Sequence, residues 1–488
     1  MNVLGYLVMI CWIPTVLFFF NRLPVQRAVI FSFLVAWLFL PMASISLKGV
    51  PDYTKMSATC YGILLATAIF DLQRFRQFRL HWVDAPLVVW CLCPLASSLT
   101  NGLGPYDGLS AVLDQTVTWG FPYFLGRLYL GSLKGLEKLA VGIIWGGLAY
   151  VPLCLLEVRL SPQLHQWLYG FNPQSFDQAI RYGGFRPIVF MQHGLMVGVW
   201  MMAATLLAIA LWRSGMLWQR LMQFLQEDLL GQRVSQSKAV QGQEPVLGVA
   251  AVSVVTLLVT FVLVKSTGAY FLLLIGLGLL FLVQWGRTAL PIIAIALLLS
   301  GYLVFTTTGG LTPERISQIS TVVTRISNVD RAQSLAFRLK NEELLTEKAR
   351  LQPVFGWGGW GRARIFNEYG QDISITDSLW IINFGNLGLV GLWSWMGIFL
   401  VPILGFALRR YPPSTWSHLQ VVPAATLSVV LLLYVMDCLV NAMVNPIFTL
   451  AAGGLAGLVA RPVPAHARPS TSSRNFAPFP RRLPTHRA

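Results

Sequence analysis

The chain has 488 residues, of which 55% are hydrophobic and only 11% charged, and its mean hydropathy is +0.62. A soluble domain carries about 25% charged residues, so this chain has too little polar surface to be divided into ordinary soluble domains. The net charge of +16 would suggest nucleic acid in a soluble protein, but here Lys and Arg sit in short loops between apolar runs, the pattern of membrane-topology signals, which argues against a nucleic-acid partner.

A spanning helix needs roughly 20 mostly apolar residues. Runs of that kind lie near 3–20, 28–47, 56–71, 84–100, 110–131, 138–157, 187–212, 246–264, 268–284, 288–306, 379–408 and 418–440, with a shorter one at 446–460. They predict an all-α polytopic integral membrane protein of about 12 or 13 transmembrane helices. The first run has no basic segment before it and no evident small-residue cleavage site, so it reads as a retained helix rather than a signal peptide. Alternate runs are followed by basic residues: Arg22 and Arg27; Arg74, Arg76 and Arg79; Arg127, Lys134 and Lys138; Arg213, Arg220, Arg233 and Lys238; Arg287; Arg409 and Arg410. The positive-inside rule makes these loops cytoplasmic. The intervening loops, 48–55, 101–109, 158–186, 265–267, 307–378 and 441–445, read as external, with the N-terminus outside and, for 13 spans, the C-terminus inside.

Two external loops are long, 158–186 and 307–378. In the second, Leu335, Leu339 and Leu345 form an apolar stripe that predicts a helix at 331–350. The membrane domain covers 1–460. The tail, 461–488, has six Arg, six Pro and no acidic residue; it is expected to be disordered in the cytoplasm, resting on anionic lipid head groups. Cys11, Cys60, Cys91, Cys93, Cys154 and Cys438 all fall in apolar runs, where thiols behave as small hydrophobes. No disulfide framework or zinc site is expected, since Cys91-x-Cys93 lacks a nearby His or second Cys pair.

Several groups carry candidate chemistry, each with a plain structural alternative. Gly183-Gly184-Phe185-Arg186-Pro187, followed by Met191-Gln192-His193-Gly194, sits where an external loop meets a span. Arg186 would lie at the interface and His193 about 10 Å deeper at 1.5 Å rise per residue; ionisable groups at membrane depth are functional candidates, unless Arg186 only snorkels to phosphates and His193 only binds a carbonyl. Lys265 in the turn Lys265-Ser266-Thr267-Gly268-Ala269-Tyr270 would touch a diphosphate or anchor the interface. Arg338 in the long loop would pair with Glu342, four residues on, on a helix surface. In Pro353-Val354-Phe355-Gly356-Trp357-Gly358-Gly359-Trp360-Gly361, Trp357 and Trp360 suit a sugar ring or the interfacial belt. Asp377, in Thr376-Asp377-Ser378, would serve as general base for a sugar hydroxyl or as a helix N-cap. Asp437, Asn441 and Asn445 are spaced by four, which puts them on one helix face, lining a cavity or holding helices together.

These residues resemble the O-antigen polymerase and O-antigen ligase family of bacterial membrane glycosyltransferases across about 115–395. The likeness rests on Phe121-Pro122-Tyr123-Phe124-Leu125-Gly126-Arg127, on Gly184-Phe185-Arg186-Pro187, on Ser266-Thr267-Gly268-Ala269 and on the long loop closing with Pro353…Gly356-Trp357-Gly358. Ligases of the family look like His followed by Asn, Ser or Gln, nine residues and Gly-x-x-Gly. Here Asp377-Ser378 is followed by nine residues and then Gly388-Leu389-Val390-Gly391, so the spacing fits and aspartate replaces histidine.

The resemblance implies a donor chain on undecaprenyl diphosphate, held by Arg186 and Arg338 because a guanidinium fork suits phosphate oxygens, with no metal and no cofactor. The change to aspartate favours an exopolysaccharide or capsule polymerase over a lipid A-core ligase. Asp377 would be the base or orient the acceptor, with His193 its rival; Lys265, Trp357 and Trp360 would help bind substrate. The expected setting is the outer, periplasmic face of the bacterial inner membrane, with a chain-length regulator and flippase or export proteins as partners. An O-antigen ligase or protein O-oligosaccharyltransferase is the related alternative. A small-molecule transporter is the alternative of another class, and it would favour midplane charges and repeat symmetry, neither of which is evident.

Overall fold

The computed structural model of the chain describes residues 1–46, 51–229, 247–326 and 329–461. The tail from 462 onward, Arg233 and Lys238, and the side chains of Arg331 and Leu335 lie outside the described residues.

Apolar runs bounded by Pro, Gly and basic residues become helices joined by tight connections. The chain runs from α1 (Val3–Arg22) and α2 (Val25–Phe39) through a hairpin, β1 (Ser44–Ile45) and β2 (Tyr53–Thr54), to α3 (Lys55–Phe70), α4 (Leu72–Gln77) and α5 (Ala85–Thr100). One continuous helical stretch follows: α6 (Pro105–Gln115), a π-turn at Thr116–Gly120 and α7 (Phe121–Tyr129). After α8 (Leu133–Leu160) come the short α9 (Leu164–Tyr169), a hairpin of β3 (Ile180–Arg181) and β4 (Gly184–Phe185), α10 (Gly194–Arg213) and α11 (Leu217–Gln223). Next are α12 (Leu247–Leu263), α13 (Thr267–Gly286) and α14 (Leu290–Thr307), then α15 (Pro313–Ile326) and α16 (Val329–Arg350). The last three are α17 (Leu379–Gly405), α18 (Val422–Cys438) and α19 (Pro446–Ala460).

Among the described residues, seven helices are long and apolar enough to cross a membrane, and five shorter ones (α2, α3, α12, α18 and α19) are apolar. The protein is therefore an all-α, multi-pass membrane protein. The expected run at 110–131 is helical, but it carries Asp114 and Arg127 and belongs to neither group.

The bundle has an inside and a rim. Of the most apolar stretch of each helix, 83% is buried in α10 and 61% in α8, against 28% in α1 and in α14. Small residues bring the inner helices together, as in membrane helix pairs generally: a Cβ on Gly126 of α7 or Gly453 of α19 would collide with the carbonyl of the opposite helix.

Connections gather at two ends. At one, Asn2 N donates to Tyr169 O (2.9 Å), Met42 N to His165 Nε2 (3.1 Å), Arg186 to Lys265 O (3.2 Å) and Asn101 Nδ2 to Gly356 O (2.7 Å). This end holds the long connections 161–193 and 308–378. At the other end, Arg127 pairs with Asp84 (2.8 Å), Arg220 with Glu137 (2.5 Å) and Arg74 with Asp71 (3.0 Å), and Gln26 Nε2 donates to Tyr129 O (2.9 Å). Among the described residues, the loops read as external that share these contacts (101–109, 158–186, 265–267 and 307–378) fall at the first end, and those read as cytoplasmic around Arg27, Arg74, Arg127 and Arg220 at the second.

Candidate active site

Two groups of polar side chains lie at the long-connection end. The first is built on the irregular segment 186–193, which the sequence reads as the start of a span. The helix α10 begins only at Gly194, with His193 as its N-cap: Nδ1 accepts from Leu195 N at 3.0 Å. His193 therefore does not sit 10 Å down a helix from Arg186. Two buried ions hold the segment instead. Glu157, near the end of α8 and 1% exposed, accepts from Ile188 N (2.8 Å), Val189 N (2.7 Å) and Leu164 N (2.9 Å). Lys55, 2% exposed at the start of α3, donates to Phe190 O (3.2 Å), Trp37 O (3.0 Å) and Leu40 O (3.3 Å).

So held, Arg186 is 7% exposed, with one hydrogen bond to Lys265 O and a buried Nε that meets no acceptor. Its stem packs against Gly194, the first residue of α10. Burial, and then the charge of Arg181, pushes its proton affinity down to about 10. Gln174 accepts from Gly194 N (3.3 Å) and leaves its own buried Nε2 without an acceptor. Lys265, at φ +56 between α12 and α13, lies against Gly184 and donates to Arg181 O (3.3 Å). Tyr182 and Thr267 share a hydroxyl hydrogen bond of 2.7 Å. Donors and positive charge thus collect at a helix N-terminus, which itself favours anions. His193 is pushed down to about 4 by burial and by Arg186 and Arg181. Its ring is neutral at pH 7, and with Nδ1 used as the cap acceptor, Nε2 carries the proton. That pattern suits a hydrogen-bond donor better than a general base.

The second group joins α16 to the start of α17. Arg338 Nε lies 3.8 Å from Asp377 Oδ2, both side chains close to half exposed, and Arg338 reaches Val440 O at 3.5 Å. The expected Arg338–Glu342 surface pair does not form a hydrogen bond. Glu342 turns inward and accepts from Tyr302 Oη (2.9 Å), Ser378 Oγ (3.1 Å) and Trp380 Nε1 (3.3 Å). Burial raises its proton affinity against the pull of these donors and of Arg338. Nor does Asp377 cap α17: the N-cap is Ser378, without a side-chain bond, and the first amide, Leu379 N, goes to Asn441 O at 3.3 Å. The Asp377 carboxylate, beside Arg338, is close to half exposed.

The glycine-rich segment does a different job from the one its tryptophans suggest. α17 is broken at Gly388 (φ +64), and residues 353–358 fill the break. Trp357 N donates to Gly385 O (2.8 Å) and Gly358 N to Asn386 O (3.0 Å), while Leu389 N donates to Pro353 O (2.8 Å) and Val390 N to Val354 O (3.2 Å). A Cβ on Gly388 would overlap the Val354 carbonyl, and one on Gly356 would come within 2.5 Å of the Asn386 carbonyl carbon. Trp357 is built into this junction: Nε1 donates to Lys348 O (2.7 Å), and Lys348 Nζ sits 4.0 Å over its ring. Trp360 is 82% exposed. The two tryptophans therefore differ, and only Trp360 presents a free face.

Asp437, Asn441 and Asn445 do not share one helix face, because α18 ends at Cys438 and α19 starts at Pro446. Asn441 donates to the buried Asp437 (2.7 Å), and Asn445 caps α19. Among the described residues no three His, Cys, Asp or Glu side chains converge as metal ligands would. No hydrogen bond or ion pair between described residues joins the Arg186 group to the Arg338–Asp377 group, although α10 and α17 both pack on α18. Clefts of about 140 Å³, lined by Arg213, Gln284 and Ser417 among others, and about 240 Å³, lined by Arg22 and Arg27 among others, lie at the opposite end and touch neither group.

Glu157, Lys55 and Gln174 were missed in the sequence. For Glu157 and Lys55 the signal exists, since an ion within or beside an apolar run is a functional candidate. Gln174, in an irregular loop, gives none. No protein-family model matches the chain, and no curated protein matches it.

Proposed function

We propose that the protein polymerises lipid-linked oligosaccharides at the outer face of a bacterial inner membrane, taking undecaprenyl-diphosphate repeat units as donors. The observation that carries this reading is Arg186: a buried guanidinium with an unpartnered Nε, beside Arg181, Lys265 and a helix N-terminus. A buried cation without a counter-ion is costly, and a diphosphate is a ligand that would complete it. Trp360, Arg338 and Asp377 at the same end fit a sugar chain and its acceptor. The positive-inside rule puts the opposite end, with Arg74, Arg127, Arg220 and Arg409, in the cytoplasm.

In this mechanism an acceptor hydroxyl attacks the anomeric carbon of the donor. The new C–O bond forms as the bond to the diphosphate oxygen breaks. The hydroxyl proton passes to the Asp377 carboxylate, and the leaving diphosphate keeps the electron pair, its charge met by Arg186, Arg181 and Lys265. A chain-length regulator and a flippase are the expected partners.

The test is polymer output and size in a deletion strain carrying wild type, Arg186→Ala, Arg338→Ala or Asp377→Asn at equal membrane level. Loss of polymer with single repeat units left on lipid is the expected result, at least a hundredfold down in each variant by analogy with lost transition-state donors. A second reading, a transporter, has one observation in its favour: the break in α17 and the interrupted α18–α19 with buried Asp437 are the kind of discontinuity that binds cargo in transporters. Undiminished polymer in the deletion strain selects it.

A further inference from the structure

The segment between Trp360 and Ile373 exposes large aromatic rings on a stiff frame. Trp360 is 82% exposed, Tyr369 86% and Phe366 52%. Rings this bare usually mark a surface that something covers. A flexible loop would explain little, but this one is braced. Ile373 N donates to Ile365 O (3.0 Å) and Asn367 N to Gln371 O (2.9 Å), closing a hairpin. The Asn367 side chain accepts from Tyr369 N (3.0 Å) and Gln371 N (2.8 Å) and donates to Gln371 Oε1 (3.1 Å), so it knits the tip that carries Tyr369. Arg364 pairs with Asp372 (2.5 Å) and donates to Thr376 Oγ1 (3.4 Å). Trp360, at φ +63, lies within the first of two turns, Arg362 N to Gly359 O (3.4 Å) and Arg364 N to Gly361 O (2.9 Å).

The rings are interleaved with exposed Arg364, Glu368, Gln371 and Asp372. A segment dipping into the acyl core would have to bury those charges, so the rings lie outside it. Flat rings beside planar amides, carboxylates and guanidinium are the surface that a sugar chain needs: the apolar face of a pyranose stacks, and its hydroxyls find donors and acceptors around it. The frame also runs directly into the candidate site. Its second strand continues through Ser374 and Thr376 to Asp377, and Ile375 N donates to Asn341 Oδ1 (3.4 Å), about one turn of α16 beyond Arg338.

We propose that the braced segment 360–373 is a saccharide subsite that holds the acceptor chain, with Trp360 and Tyr369 as stacking platforms. The proposal rests on the polymerase reading and names the substrate class of a part of the chain outside the diphosphate-binding group. The subsite keeps a growing chain near Asp377 between additions, so it governs length more than the chemistry of each step.

The test uses full-length protein in nanodiscs. The probe is size-fractionated oligosaccharide from partial hydrolysis of the producing cell's own extracellular polysaccharide, titrated by calorimetry. Trp360→Ala and Tyr369→Ala are each expected to weaken binding about tenfold, the order of one lost aromatic stacking contact, and to shorten the polymer in cells. Tyr369→Phe, which keeps the ring, is expected to stay near wild type. Melting temperatures of the same samples check that the variants are folded. The subsite is overturned if the double alanine variant binds as wild type, if Tyr369→Phe fails as badly as Tyr369→Ala, or if the double variant loses a copurifying protein or lipid while glycan affinity is intact. Full-length polymer in the double variant, with none in the deletion strain, rejects the subsite alone. Full-length polymer in the deletion strain rejects the polymerase reading itself.

Discussion

A guanidinium at 7% exposure is costly without an acid beside it, and the backbone around Arg186 accounts for its position. Glu157 takes the Ile188 and Val189 amides and Lys55 takes the Phe190 carbonyl, so the segment 186–193 is fixed on both sides of its peptide units. The same segment presents His193 to α10 as a cap, and this has a measurable consequence. Folding lowers His193 from about 6.5 to about 4 through burial first and then Arg186 and Arg181. Between those values the unfolded chain binds the extra proton and the folded chain does not. Stability from this group is therefore full above pH 6.5 and is lost as pH falls toward 4. With a discount for the partial exposure of the ring, the loss at pH 4.5 is roughly 1 to 2 kcal/mol. His193→Asn keeps a capping side chain and removes the titration. Melting temperatures of detergent-solubilised protein from pH 7 to 4.5 should fall less steeply in the variant. Some slope remains, because His165 is also pushed down to about 4, mainly by burial. An unchanged slope would remove His193 from this account.

At the scale of elements, the sequence reads 379–408 as one uninterrupted span, and periodicity gives no reason to doubt it. The break is made by a segment that arrives from outside the helix: 353–358 supplies two donors and two acceptors to backbone groups around Gly388. Such an interruption is tolerable at membrane depth only where another part of the protein satisfies the freed groups. The glycine spacing Gly388…Gly391 was legible as a motif, but its cause was not, since a positive φ depends on a partner far along the chain. The interruption between α18 and α19 was hidden for the same reason: the spacing of Asp437, Asn441 and Asn445 matches a helix until Tyr434 and Asn441 are seen to hold the link. Gly388→Ala places a Cβ at φ +64 against the Val354 carbonyl and should cost about 3 kcal/mol or more, with polymer output falling alongside. Gly278→Ala, on α13 with nothing near the added Cβ, should instead stabilise the helix, by up to about 1 kcal/mol. Equal melting temperatures for the two variants would mean that 353–358 does not occupy the break.

For the whole molecule, apolar run length was enough to read the helices, and charge parity groups the loops that the described contacts reach at the same two ends, because both are set by the bilayer rather than by contacts within the protein. The weak point is 105–129. Its charges and its π-turn keep it from counting as an ordinary span, yet at 1.5 Å per residue its 25 residues reach about 37 Å, more than a bilayer core of about 30 Å. Its two ends also take part in opposite ends of the bundle: the preceding Asn101 bonds Gly356 O, and Arg127 pairs with Asp84. The stretch therefore reaches from one end of the bundle to the other although Asp114 is exposed, and a crossing there makes the number of crossings among the described helices odd. Residue 2 and residue 461 then lie on opposite sides. In a variant with the six cysteines replaced, single cysteines at Asn2 and Tyr369 should react with an impermeant thiol reagent added to intact spheroplasts. Cysteines at Arg76 and Arg461 should react only after permeabilisation. Labelling of Asn2 and Arg461 from the same side would mean that 105–129 does not cross, and would detach the two-ended charge pattern from the membrane orientation on which the proposed chemistry depends.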